Sequence, residues 1–125
     1  MKFSRTAISL AAALAVSVPS VALAHAELVS AAPAANRAAH GVKKITLTFS
    51  ERFTPRLSGA TVTMTSMPGM SGHTMPITNL TAAVSDKTLT LTSPRPLAAG
   101  TYRVDWHVVT ADTHREAGTY SFTVN

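Results

Sequence analysis

The sequence predicts an all-β protein, a single Greek-key sandwich or barrel without disulfide bonds. After residue 24, apolar and polar residues alternate with a period of two through most of the chain, and no segment has the apolar spacing of an amphipathic helix. Short turn signals rich in Gly, Pro, Ser and Asp separate the alternating runs. Cys is absent, which excludes disulfide bonds, thiolate zinc sites and cysteine nucleophiles.

Five alternating runs predict strands. Along the chain they centre on residues 45–49, 61–65, 88–92, 102–108 and 120–124. Thr occupies many of the outward positions, as expected of a pleated surface that faces water on one side. Strands at this spacing in about 100 residues are typical of two sheets joined in Greek-key order. The predicted core consists of Leu28, Ile45, Leu47, Phe49, Val62, Leu89, Leu91, Tyr102, Val104, Trp106, Tyr120 and Phe122.

The first 24 residues have the order of a secretory signal peptide. Lys2 and Arg5 precede an apolar run from Ala7 to Val18, and small residues at positions 22 and 24 follow Pro19. The run is shorter than the roughly 20 apolar residues of a membrane-spanning helix. We therefore expect residues 1–24 to be cleaved and residues 25–125 to form one exported domain, with a bacterial periplasm as its destination.

Cleavage after residue 24 makes His25 the first residue of the mature chain. Its free α-amine, with a pKa of about 7.7–8.0 in peptides, then lies beside its own imidazole. The two nitrogens can chelate one metal ion in a small ring. This prediction depends on the cleavage position, because a shift of one residue removes the pair.

The charge pattern argues against nucleic-acid binding. Lys and Arg number 11 against 6 Asp and Glu, and without Lys2 and Arg5 the balance is 9 against 6, or +3. The longest run of cations is Lys43-Lys44. Phosphate binding requires cations clustered on one face, so we expect no nucleic-acid partner.

A segment rich in methionine interrupts the strand pattern. Residues 66–76 contain Pro and Gly at a density that excludes a regular helix or a central strand, so we interpret the segment as a loop. Soft thioether sulfurs favour Cu(I) over Zn(II), Mg(II) and Ca(II). Two alternatives stay open: methionines that fill the core, Met64 above all, and a surface patch that binds a partner. The candidate Cu(I) ligands are Met64, Met67, Met70, His73 and Met75.

A second group offers nitrogen and oxygen donors. It consists of His25, Glu51, Asp112 and His114. Asp112 and His114 are two residues apart, which places both side chains on one side of an extended chain. Cu(II) prefers such N/O donors in tetragonal geometry. Spacing alone is weak evidence for a metal site, because an Asp-x-His pair in a loop is usually an Asp that caps a turn and a His in solvent.

Taken together, these residues resemble the CopC family of periplasmic copper-binding proteins over essentially the whole of residues 25–125. The resemblance rests on several blocks in the same order. They are residues 25–30 (HAELVS) with Pro33, 47–51 (LTFSE), 64–70 (MTSMPGM), 99–106 (AGTYRVDW) and 112–114 (DTH).

The resemblance implies a cupredoxin-like or immunoglobulin-like β-sandwich with separate Cu(II) and Cu(I) sites. The implied Cu(II) ligands are the amine and imidazole of His25 with Asp112 and His114, and Glu51 is a nearby or weak ligand. The implied Cu(I) ligands are His73 and some of Met64, Met67, Met70 and Met75. His107 stands where family members tend to carry Arg, and we interpret both His107 and His40 as solvated histidines.

The function implied is that of a copper carrier rather than an enzyme. It would buffer or deliver copper in the periplasm, for homeostasis or resistance. The implied partners are an inner-membrane copper transporter of the CopD type and, in some systems, a multicopper oxidase. We expect a monomer or a weak copper-bridged dimer.

Two other functions fit parts of the pattern. A copper ion held by an N-terminal amine, its imidazole and a second His resembles the histidine brace of copper polysaccharide monooxygenases, but those enzymes need an open coordination position and a broad aromatic surface. Here Asp112 would take a coordination position, and most aromatic residues have core parity. A non-metal adhesion module of immunoglobulin type is the structural alternative.

Overall fold

The computed structural model describes residues 26–125, which form two β-sheets packed face to face. The signal peptide and His25 lie outside the described residues. The strands are β1 (Leu28–Ala32), β2 (Ala38–Ala39), β3 (Lys44–Phe49), β4 (Gly59–Met67), β5 (Met70–Ile77), β6 (Thr81–Ser85), β7 (Thr88–Thr92), β8 (Gly100–Val109) and β9 (Arg115–Val124), with one 3-10 turn at Pro55–Leu57. The two-sheet, all-β prediction is confirmed. Within residues 26–125 no helix has the length and hydrophobicity needed to cross a bilayer.

One sheet has the order β1-β3-β7-β6 and the other the order β2-β9-β8-β4-β5. Only the short β2 pairs in parallel, with the end of β9. The long strands β8 and β9 pair over their whole length, from Gly100↔Val124 to Val109↔Arg115. This hairpin forms the centre of the larger sheet, and its connecting loop lies at one end of the sandwich.

The core lies between the sheets and follows the predicted alternation closely. Leu28, Trp106 and Tyr120 are only partly buried, whereas the other predicted core residues are buried. Six further buried residues are absent from the predicted core, although Met64, Val108 and Val124 lie on inward positions of the predicted strands; the six are Ala26, Val42, Phe53, Met64, Val108 and Val124. Phe49 lies at the centre of an aromatic cluster, with ring centroids 5.3 Å from Phe53 and 5.0 Å from Trp106 in edge-to-face contact.

The interpretation of residues 66–76 as a loop is wrong. This segment completes β4 and forms β5, which pair as an antiparallel hairpin through a two-residue turn. The turn is Pro68-Gly69, with Gly69 at φ +78°, the conformation that a Pro-Gly turn requires at its second position. β5 is an edge strand, where Pro76 is tolerated because its missing N–H faces away from the sheet.

The two ends of the sandwich carry different residues, and we call them the methionine end and the carboxylate end. The methionine end carries the hairpin tip Met67–Met70 together with the start of β3 and the ends of β7 and β9. The carboxylate end carries Glu51, the β6–β7 turn and the β8–β9 loop. Both sheets contribute to the methionine end, because the crossover leads from the end of β7 in the smaller sheet to the start of β8 in the larger one. Within the crossover, the N–H of Ser93 donates to the carbonyl of Lys43 and that of Leu97 to the carbonyl of Val42.

Candidate metal sites at the two ends of the sandwich

The β8–β9 loop brings Asp112 and His114 together at the carboxylate end. The Nδ1 atom of His114 lies 2.8 Å from Oδ2 of Asp112. The chain between them is a tight turn rather than the extended segment expected from their spacing. Thr113 has a left-handed backbone, with φ +68°. The N–H of Thr110 donates to the carbonyl of His114 at 2.9 Å, which closes the turn.

Thr110 organises this pair, and the sequence analysis missed it. Its buried hydroxyl donates to Oδ1 of Asp112. The hydrogen bond from Thr110 and the one from His114 lower the pKa of Asp112 to about 2. A Thr two residues before the Asp, at the end of a strand, was the only available signal.

This hydrogen-bond pattern fixes how the imidazole can bind a metal ion. When Nδ1 of His114 donates to Asp112, the lone pair of Nε2 is free. A carboxylate that accepts from a histidine in this way orients the ring and raises its basicity as a ligand. Both side chains are about half exposed, so Nε2 is accessible to a solute.

Glu51 reaches the same region through a separate contact between strands. Phe53 forms an isolated bridge with Thr110, and the N–H of Thr54 donates to the carbonyl of Val109 at 2.7 Å. Glu51 and Asp112 consequently line one open cavity of about 440 Å³. Its other lining residues, none of them among the predicted site residues, are Arg52, Lys87, Thr110 and Ala111.

The start of the described chain is fixed against the Glu51 segment. The N–H of Glu27 donates to Oγ of Ser50, and the N–H of Ser50 donates to the carbonyl of Glu27, both at 2.8 Å. Ala26 is buried, at 2% exposure. His25, which precedes it, lies outside the described residues. Among residues 26–125 no three His, Asp or Glu side chains cluster as a metal site.

At the methionine end, the hairpin register places all four methionines of residues 26–125 on one face. Met64 is directly opposite Met75, and Met67 is directly opposite Met70. Residues directly opposite each other in an antiparallel pair share a face. Met64 and Met67 are three residues apart, but the register of β4 against β8 shifts between Met64 and Ser66, which returns Met67 to the inner face.

Exposure differs sharply along this face. Met64 is buried at 3% exposure, whereas Met70 and Met75 are 49% and 50% exposed. Met67 is partly buried against the core. The interpretation of Met64 as a core side chain is therefore supported, and the exposed thioethers are those of the edge strand.

His73 lies in an irregular part of β5. Three residues, Gly72 to Thr74, stand opposite the single residue Thr65, and Gly72 has φ +86°. We call residues 72–74 the β5 arch. His73 is exposed, and the structure does not show its ring in contact with the methionines.

The two other histidines of the described chain lie apart from both donor groups. His40 is exposed, in the segment that follows β2. His107 is half exposed on the outer face of the larger sheet, where a Cβ on Gly59 would lie 3.6 Å from its ring. It lines a shallow groove with Thr61 and Thr119. In the described part of the chain, neither residue lies with the candidate ligand groups.

Known proteins resemble this chain in sequence and in fold. Residues 28–125 match the family model of the CopC domain. The chain is 49% identical to copper resistance protein C of Escherichia coli, over 82% of this chain and 83% of that one. It is 39% identical to copper resistance protein C of Pseudomonas syringae pv. tomato over 99% of both chains. The crystal structure of PcoC, a methionine-rich copper resistance protein from Escherichia coli, superposes with a TM-score of 0.73 at 43% identity and covers 82% of this chain and 100% of that one.

Proposed function

The chain belongs to the CopC family, and on that premise we propose that it is a periplasmic copper carrier with two sites, one for each oxidation state of copper. The observation that supports this most directly is the separation of two donor sets. Imidazole and carboxylate groups lie at the carboxylate end. The face that carries Met64, Met67, Met70 and Met75, which we call the thioether face, lies at the methionine end. Copper is the cargo of both sites.

For Cu(II) we propose nitrogen ligands from His25 and His114. The α-amine and imidazole of His25 and the Nε2 atom of His114 supply the nitrogen donors that Cu(II) prefers. Asp112 orients His114, is ionised at neutral pH because its pKa is lowered to about 2, and is the first candidate oxygen donor. Glu51, on the same cavity, is the second. Residue 25 is bonded to Ala26, which the hydrogen bonds of Glu27 hold beside Ser50 and Glu51.

For Cu(I) we propose the part of the thioether face that lies outside the buried core. Met67, Met70 and Met75 supply neutral, soft sulfur ligands, and His73 in the β5 arch supplies a nitrogen ligand. Met64 shares the face but fills the core against Gly100. Because thioethers bind without losing a proton, Cu(I) binding is expected to persist in mildly acidic solution.

Delivery follows from the exposure of these ligands. A partner's own thioethers can replace Met70 and Met75 one at a time, because both sulfur-bearing side chains are accessible. The proposed recipients are a CopD-type inner-membrane transporter and, in some systems, a multicopper oxidase. The alternative of a copper polysaccharide monooxygenase lacks the broad aromatic surface that binds the substrate, since no aromatic side chain within residues 26–125 is exposed.

An extended N-terminus tests the Cu(II) site. We expect one additional residue before His25 to weaken Cu(II) binding at least about 100-fold, because the amine moves away from its imidazole. Cu(I) binding should stay within about twofold. Competition with a chelator for each ion measures both affinities. Unchanged Cu(II) binding in the extended protein would contradict the assignment of His25.

The converse test uses Met67→Leu together with Met70→Leu. Leu has nearly the volume of Met and keeps the hairpin apolar, so the fold is retained. We expect Cu(I) affinity to fall at least about 100-fold and Cu(II) affinity to stay unchanged. Equal damage to both sites by either variant would show that the sites are not separate.

A further inference from the structure

The methionine end carries a cluster of cations. Lys43 and Lys44 lie at the start of β3, where Lys44 pairs with Thr92. Arg95 lies in the crossover that follows β7, and its carbonyl accepts a hydrogen bond from the hydroxyl of Ser93 at 2.6 Å. The N–H of Ser93 in turn donates to the carbonyl of Lys43. All three cationic side chains are exposed and belong to adjoining segments.

The same crossover connects the cations to the hairpin. It ends at Gly100, where an added Cβ would lie 2.5 Å from the carbonyl oxygen of Ser66, one residue before Met67. The basic cluster, defined as Lys43, Lys44 and Arg95, and the tip of the thioether face thus lie at the same end of the sandwich.

Within residues 26–125 the acidic side chains lie elsewhere. Five of them are placed by their strands and turns at or near the carboxylate end, and they are Glu27, Glu51, Asp86, Asp112 and Glu116. The sixth, Asp105, lies along β8 and pairs with Arg103 at 2.9 Å. In the described part of the chain the basic cluster has no ion pair, so its charge is uncompensated.

Bound Cu(I) increases the positive charge of the methionine end. The thioethers are neutral, so a bound Cu(I) ion adds one positive charge to a surface without a nearby Asp or Glu side chain in residues 26–125. A cationic acceptor is repelled by this surface, and an acidic one is attracted and oriented by it.

We propose that the methionine end is a docking surface for an acidic protein, one that presents Asp and Glu side chains around its own soft copper ligands. This inference deepens the proposed function and rests on it. A protein fits better than an anionic membrane, because the exposed large apolar side chains at this end are Met70 and Met75 and the aromatic anchors of a bilayer-binding surface are absent from the exposed residues of the described chain. A lipid surface also offers Cu(I) no thioether.

Synthetic peptides test this surface directly. Three labelled peptides carry the same pair of methionines, flanked by Glu, by Gln or by Lys, and fluorescence anisotropy measures their binding to copper-free and Cu(I)-loaded protein. At low ionic strength we expect the Glu peptide to bind at least about tenfold more tightly than the Gln peptide. At about 0.5 M salt the preference should fall below about twofold, because screening removes contacts between exposed charges.

Two charge-reversed variants localise the effect. Lys43→Glu with Arg95→Glu should abolish the preference for the Glu peptide. Arg56→Glu with Arg115→Glu changes the net charge equally, at exposed positions toward the carboxylate end, and should retain it. Equal losses in both variants would overturn the proposal, because only net charge would then matter.

Two further outcomes would also overturn it. One is a wild-type protein that binds all three peptides alike. The other is retention on phosphatidylglycerol vesicles that depends on Lys43 and Arg95, without a preference for the Glu peptide. Cu(I) loading, measured separately, distinguishes failure of this surface from failure of the carrier function, since peptide binding is also measured without copper.

Discussion

The candidate metal ligands are positioned differently at the carboxylate end and at the methionine end. At the carboxylate end, a short turn closed by hydrogen bonds from Thr110 and His114 holds one carboxylate and one imidazole. At the methionine end, backbone register alone aligns the thioethers. Polar ligands need directional partners, whereas neutral sulfur atoms need only a shared face. Changes made at one end should therefore leave the other nearly intact.

The largest effect is expected from Gly100→Ala. The new Cβ would lie 2.5 Å from the carbonyl oxygen of Ser66 and 3.4 Å from Cε of Met64, so β4 or β8 must shift. We expect a loss of about 2–3 kcal/mol in the free energy of unfolding, measured by urea denaturation with Trp106 fluorescence.

The control for this change is Gly59→Ala, at the other end of β4. Its Cβ would meet only the His107 ring, at 3.6 Å, and should change stability by less than about 0.5 kcal/mol. Gly100→Ala should weaken Cu(I) binding more than Cu(II) binding. An equal effect on both ions would show that the two ends are mechanically coupled.

The next effect separates the two methionines that face each other. Met75→Leu should weaken Cu(I) binding about tenfold, because it removes a half-exposed sulfur. Met64→Leu, which changes a buried side chain, should leave Cu(I) affinity within about threefold and stability within about 1.5 kcal/mol. Cu(I) competition titrations of both variants measure the difference. A larger loss for Met64→Leu would make the buried sulfur the principal ligand.

A smaller effect is expected at the carboxylate end from Thr110→Val. Without the hydroxyl, the pKa of Asp112 should rise from about 2 toward its usual value near 3.9. The stability that Asp112 contributes is present above its usual pKa and is lost as the pH falls through about 2, so the variant should lose less stability in that interval. Carboxyl NMR titration of the copper-free protein measures the pKa. Thr119→Val is the control. An unchanged pKa of Asp112 in Thr110→Val would show that the Thr110 hydroxyl does not lower it.

The smallest effect concerns the core between the ends. The Tyr120 hydroxyl is buried and has no hydrogen-bond partner, and burial raises the pKa of Tyr120 to about 12. Tyr120→Phe should therefore change stability at neutral pH by less than about 1 kcal/mol.

The same variant makes a prediction for alkaline solution. A tyrosine whose pKa is raised by folding contributes stability that is fully present below pH 10 and is lost as the pH rises through about 12. The wild-type protein should therefore lose stability between these pH values, and Tyr120→Phe should lose less. Part of the loss should remain, because burial also raises the pKa of Tyr102. Denaturation curves at neutral and alkaline pH, in both proteins, show whether the difference exists.

The fold was predictable where burial is one-sided. β3, β7 and β8 alternate strongly because each has one face in the core, and the sequence shows them directly. β6 was missed because Ala82 and Ala83 give almost no contrast between faces. The first half of β9 was missed because Arg115, Glu116 and Gly118 hide its alternation.

The sites were predictable only as far as local spacing reaches. Asp112 and His114 are neighbours in the chain, so their proximity could be expected. The approach of Glu51 depends on the bridge between Phe53 and Thr110, which joins distant segments. The β4–β5 hairpin was mistaken for a loop because Pro and Gly density indicates a turn but not its length, and strand pairing depends on the rest of the sheet.

The β5 arch gives the hairpin a spare length of chain. The pairing of β4 with β5 is regular on either side of the arch, while Gly72 to Thr74 stand opposite Thr65 alone, so we expect insertions, deletions and exchanges there to leave the pairing of the methionines intact. Selectivity could be retuned at that point, for instance by placing a thiol or a second imidazole in the arch. If the hairpin binds Cu(I) as proposed, it offers a starting point for engineered sensors of other soft metals such as silver and mercury.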